Sequence, residues 1–142
     1  KERDAFASIA LTTDTSILTA IGNDYGFNQI FARQIMALCN KNDIVIGITT
    51  SGNSENIMMG LREAKKIGAY TISFTGQDAG KAGVIPDYSI KVLSNNTARI
   101  QEAHILIGHI LCSEIDKITS VSKYDFKKIN SIFKKWFRFS RR

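Results

Sequence analysis

Continuous apolar runs alternate with helical periodicities along most of this chain. Residues 43–50, DIVIGITT, are apolar, β-branched and too short for a helix, the pattern of a strand covered on both faces. Residues 69–76, AYTISFTG, repeat it, and YSIKVLS (88–94) forms a further strand. Between the first two, SENIMMGLREAKKIG (54–68) is apolar at helical spacing and closes on Gly68; a longer helical segment runs from about Thr97 to Ile118. Upstream, AFASIALT (5–12) is a short apolar run. TDTSILTAIGND (13–24) predicts a helix capped by Asp14 or Thr15 and stopped at Gly22 and Asn23. In YGFNQIFARQIMALC (25–39) Phe27, Ile30, Phe31, Ile35 and Leu38 recur at helical spacing. GQDAGKAG (76–83) is a glycine-rich loop. Strand, helix and strand in alternation predict an α/β fold of three layers, αβα, around a parallel sheet.

Composition narrows the class. A chain of 142 residues with 44% apolar residues suits one domain with a buried core. No run approaches the ~18 to 20 apolar residues of a membrane-spanning helix, and the opening KERDAFASIALTT lacks the parts of a signal peptide, so a cytoplasmic protein is expected. Cys39 and Cys112 sit in apolar, helix-like surroundings without CxxC spacing and are expected to be buried free thiols. From Lys117 onward nine Lys or Arg stand against one Asp, a balance of +8 within a total of +6, so the preceding residues net −2. The basic charge therefore belongs to the tail, and no nucleic-acid partner is expected.

The chemistry-bearing stretch is TTSGNS (49–54), which follows an apolar strand and opens a helix. In an open parallel sheet, ligands bind beyond the carboxyl ends of strands, where the next helix presents unpaired amides. Gly52 would allow close backbone approach, and Thr49, Thr50, Ser51 and Ser54 offer hydroxyls, an arrangement suited to phosphate without lysine. The residues fit equally an ordinary loop with Ser54 as helix N-cap. Neither the Walker pattern nor GxGxxG is present, so no nucleotide is favoured.

TTSGNS after DIVIGI resembles the phosphate loop of sugar isomerase (SIS) domains. ALTTDTSILTAIGNDYGF and NTARIQEAHILIGHILC resemble segments of bacterial phosphoheptose isomerases, and the resemblance extends from residue 1 to about Asp116. Thr49 stands where the family usually has serine, and Asn95-Asn96 where an acidic pair is common. The resemblance implies a partial flavodoxin-like SIS domain over residues 1–118, expected to be catalytically incomplete as this 142-residue chain. It implies conversion of sedoheptulose 7-phosphate to D-glycero-D-manno-heptose 7-phosphate in ADP-heptose and lipopolysaccharide synthesis. By similarity Thr49, Thr50, Ser51 and Ser54 bind phosphate or sugar hydroxyls, Asn23 and Asp24 contact the sugar chain, and Gln101 and His109 ligate zinc. His109 is also the acid–base group, moving a proton between neighbouring carbons through an enediol. A homotetramer with sites at subunit interfaces is implied. The alternative is a non-catalytic phosphosugar-binding SIS module acting as regulator or scaffold.

Several residues have plainer readings. His104 reads as a satisfied core histidine, Arg99 as a solvated helix-start arginine rather than a partner for a carboxylate or phosphate, and Asp78 and Lys81 as part of a mobile surface turn rather than the lining of the site mouth. Gln101 and His109 lie eight positions apart, about 12 Å of rise and about 80° of rotation on an ideal helix, which implies an irregular helix, a later helix start, or sites shared between subunits. The family pattern also has an N-terminal part before the equivalent of Lys1: helices, a first strand and a helix bearing the catalytic Glu. That strand would lie between AFASIALT and DIVIGITT, so an apparently incomplete sheet is expected. Residues 119–142 form a basic amphipathic extension: Phe126, Ile129, Ile132, Phe133, Trp136 and Phe137 fall mostly on one helical face. It suits an anionic membrane surface, an acidic partner, or docking on the body or another subunit.

Overall fold

A computed structural model describes residues 5–119. The basic extension, apart from Thr119, lies outside the described residues. Three strands, β1 (Ile44–Ile48), β2 (Tyr70–Thr75) and β3 (Tyr88–Lys91), form a parallel sheet in that order, with Ile46 opposite Ile72 and Phe74 opposite Ile90. The helices are α1 (Thr15–Tyr25), α2 (Ile30–Leu38), α3 (Glu55–Ile67) and α4 (Thr97–Thr119). Helix α3 packs on the sheet face of Val45 and Gly47, with α2 against it. On the other face Ile107 and Leu111 of α4 pack against Ile72 and Phe74. Three layers result.

The elements follow their local chemistry closely. Asp14 caps α1, its Oδ1 accepting from the Ile17 amide at 2.9 Å. Gly68, in the left-handed region at φ +91°, closes α3, its amide donating to the Ala64 and Lys65 carbonyls. Arg99 is exposed and pairs with Glu102 at 2.6 Å on the surface of α4.

Five expectations are corrected. Helix α1 runs through Gly22 and Asn23 and stops at Gly26, whose φ of +86° breaks it, because Gly22 keeps a helical backbone and only a residue leaving that region ends the ladder. The 25–39 segment opens with a short 3-10 turn, Phe27–Gln29, before α2. AFASIALT is not a strand: residues 5–10 are exposed irregular chain. Its end turns at Ala10–Thr13 and is tied by Gln34 Nε2 to the Leu11 carbonyl at 3.0 Å. A strand exists only through a hydrogen-bonded neighbour, and none is available there among the described residues. Finally β1 is covered on one face only; Ile44, Ile46 and Ile48 point away from α3 and are exposed. Cys112 is exposed rather than buried, since it lies on the side of α4 away from the sheet, while Cys39 is half-buried; both are free.

Candidate functional site

The TTSGNS segment leaves the carboxyl end of β1 and enters α3. The Thr49 amide donates to the Phe74 carbonyl at 3.0 Å, extending the ladder by one residue before the chain turns away. Thr49 is buried and its hydroxyl shares a 2.9 Å hydrogen bond with that of Ser54, pinning the two ends of the loop together. Ser54 occupies the N-cap position of α3, yet its hydroxyl is committed to Thr49 and accepts no helix amide. Between them Ser51 is exposed, its Oγ accepting from the Asn53 amide at 3.2 Å.

The first turn of α3 is accordingly underused. The Ile57 amide is taken by the side chain of Asn56 at 2.9 Å and the Met58 amide by the Ser54 carbonyl at 3.1 Å. The amides of Glu55 and Asn56 have no acceptor among the described residues, as expected at a helix start. The Glu55 carboxylate, which would repel an anion there, is paired with Arg62 at 3.1 Å. Exposed hydroxyls, open amides and a helix dipole suit a phosphate.

Glycine serves a different purpose from the one expected. A Cβ on Gly52 would lie 2.0 Å from the Ala79 carbonyl oxygen, and one on Gly80 would lie 2.6 Å from the Gly52 oxygen. The close approach made here is thus between two loops of the chain itself. The 76–83 loop is clamped onto the hydroxyl loop: the Ala82 amide donates to the Gly52 carbonyl at 2.8 Å and the Lys81 amide to Asn53 Oδ1 at 3.3 Å. Asp78 and Lys81 are exposed on it, so the turn expected to be a free surface feature is a wall of the site. The clamp onto Gly52 and Asn53 was not legible in the sequence, although the glycines at 76, 80 and 83 were a signal for it.

Asn23 and Asp24 lie exposed on the last turn of α1, which packs on the 27–29 turn and α2; no hydrogen bond among the described residues joins either to the hydroxyl loop. Gln101 and His109 are exposed on α4. That helix is continuous from Thr97 to Thr119, so irregularity and a later start are both removed, and about 12 Å of rise separates the pair. Among the described residues no group of three or more His, Cys, Asp or Glu is placed to hold a metal. The described His, Cys, Asp and Glu side chains of one copy therefore do not gather into a zinc site by themselves.

A family model of the SIS domain matches residues 2–76, from the N-terminal run through the hydroxyl loop to Gly76. The chain belongs to the SIS domain family. It is 57% identical over 118 residues to a phosphoheptose isomerase of Aquifex aeolicus, covering 83% of this chain and 62% of the relative. It is 56% identical over 117 residues to one of Nitratiruptor, covering 82% of this chain and 63% of the relative. The chain thus spans less than two thirds of the length of these curated relatives. A solved phosphoheptose isomerase from Francisella tularensis superposes with a TM-score of 0.75 at 47% identity, over 77% of this chain and 59% of that one.

Proposed function

We propose that this SIS chain is the major part of a phosphoheptose isomerase that converts sedoheptulose 7-phosphate to D-glycero-D-manno-heptose 7-phosphate. The observation that carries the reading is the hydroxyl loop with open α3 amides at the carboxyl end of β1, in a chain 57% identical to a phosphoheptose isomerase. Thr50, Ser51 and Ser54, with the Glu55 and Asn56 amides, bind the phosphate, and Thr49 supports Ser54 from below. Asn23, Asp24 and Gln101 contact the sugar chain in this reading. His109 moves the proton between the two carbons of the enediol, as an exposed imidazole suits that work.

Zinc and a tetrameric assembly enter this proposal from the resemblance alone. With Gln101 and His109 about 12 Å apart in rise along one helix, a metal would take both from one copy only at full side-chain reach, or one from each of two copies, with further ligands from outside the described residues. In this reading residues 1–118 form a partial SIS domain and 119–142 a basic extension, in a cytoplasmic enzyme serving lipopolysaccharide synthesis. No helix among the described residues is long and apolar enough to cross a membrane.

The test is conversion of sedoheptulose 7-phosphate followed by proton NMR, with and without added zinc, in the protein and in a Ser51→Ala, Ser54→Ala double variant. Turnover that falls in the variant mainly through KM, by about 10- to 100-fold, supports the assignment. Tight sugar-phosphate binding with no turnover under either condition would mean a non-catalytic binding module instead.

A further inference from the structure

His104 is 4% exposed on α4, inside the apolar contact with Phe74, at 5.8 Å between ring centroids. Its Nε2 lies 3.2 Å from the Thr75 carbonyl oxygen. A carbonyl only accepts, so Nε2 carries the proton and Nδ1 is left bare, buried and without a partner among the described residues. A histidine serving only to fill the core would be served as well by leucine, without the orphaned nitrogen. The cost calls for a second reading.

The acceptor supplies it. The Thr75 carbonyl already takes the Val92 amide at 2.9 Å, so His104 occupies its second lone pair. The other end of the same peptide plane is the Gly76 amide, which donates at 3.0 Å to the carbonyl of Thr50 in the hydroxyl loop. A peptide group is rigid. One plane therefore joins the loop on one side to α4 on the other. The join is tight: a Cβ on Gly76 would lie 2.6 Å from the Thr50 oxygen and 2.8 Å from Ile100 Cδ1, so only glycine lets Ile100 of α4 seat there. His104 lies three residues from Gln101 and five from His109.

We propose that His104 is a positioning residue: through the Thr75–Gly76 peptide it fixes the depth and rotation of α4, and hence of Gln101 and His109, relative to the phosphate loop. The inference rests on the isomerase reading for its kinetic consequence, but its structural consequence stands without that reading. Two variants of the full chain separate the possibilities. His104→Gln keeps an amide donor near the Nε2 position; His104→Leu fills the space and donates nothing.

In His104→Leu the amide resonances of Gly76 and of Ser51, whose peptide carries the Thr50 carbonyl, shift in a nitrogen–proton NMR spectrum, while Ile67 and Ala69, remote from the peptide, do not. In His104→Gln the two resonances return towards their wild-type positions. In the active protein His104→Leu lowers kcat by about 100-fold, the scale of an ångström's misplacement, with KM within about threefold, and His104→Gln recovers most of it. Unmoved Gly76 and Ser51 resonances in His104→Leu overturn the proposal, as does an unchanged kcat in His104→Leu where the wild type turns over. If the wild type shows no turnover the isomerase reading fails, and the resonance arm still decides the role of His104.

Discussion

Gly52 is held by two constraints at once: its φ is +68°, and the space where a side chain would begin is filled by the Ala79 carbonyl. Gly52→Ala therefore suffers backbone strain and a clash with another backbone, neither of which a rotamer change relieves. The expected loss exceeds about 1 kcal/mol, read as a lower urea midpoint at unchanged slope, together with weaker phosphate binding as the two loops part. Asp87 gives a pH-dependent counterpart at the other end of β2. Burial pushes its carboxyl upward, but the Thr71 amide at 2.9 Å, the Thr71 hydroxyl at 2.8 Å and the Lys65 ammonium at 3.2 Å outweigh it, holding the group below its ordinary value of 3.8. A carboxyl depressed in the folded state contributes stability that is present above its unfolded value and is lost as pH falls through the folded one. The urea midpoint should therefore fall from about pH 5 downward in the wild type and more shallowly in Asp87→Asn; parallel curves would remove Asp87 from the acid response.

At the scale of elements, a paired comparison of glycines tests how the layers are set. A Cβ on Gly47 would meet Ile57 Cγ2 at 2.8 Å and Leu61 Cδ1 at 3.0 Å, so the absence of a side chain lets α3 lie close over β1. Gly47→Val should cost about 1 to 3 kcal/mol by overpacking, whereas Gly22→Ala, with nothing within 4 Å, should stabilise α1 by up to about 1 kcal/mol. Thermal melting of both variants checks the pair, and equal effects would contradict the packing. These elements also show what could be read from sequence. Helix α3 and its Gly68 stop were legible because both ends are fixed by neighbours within a turn, and β1, β2 and β3 because runs too short for a helix and rich in β-branched or aromatic residues leave few alternatives. The end of α1 was not, since Gly22 and Gly26 differ only in φ, which composition does not carry. AFASIALT failed for another reason: pairing is non-local, and its own residues say nothing of whether a neighbour exists. In the site, the hydroxyl loop was legible as a loop, while the partner of Gly52 and the His104 tether, which join residues 27 and 29 positions apart, were not.

Across the whole molecule the apolar surface is unevenly satisfied. Ile72 and Phe74 are sealed beneath α4, yet their neighbours in register on β1, Ile46 and Ile48, are 43% and 54% exposed on the same sheet face. Beside them β1 forms a sheet edge with no further strand among the described residues, so backbone donors and acceptors stand next to an apolar stripe. AFASIALT does not pair with this edge: Gln34 and the Ala10–Thr13 turn tie its end elsewhere. Such a surface should bind a hydrophobic dye in the natively folded chain. Ile46→Lys then separates two origins of that signal. The side chain is already 43% in water, so the substitution should change stability by no more than about 0.5 kcal/mol while lowering the dye fluorescence. A signal that persists in Ile46→Lys would place the exposed surface elsewhere, on the Ile105, Leu106 and Ile110 flanks of α4, and Leu106→Lys would then lower it instead. Should Ile46→Lys unfold the chain, the stripe is not a free edge but part of a core closed by some other segment, and dye binding would rise rather than fall.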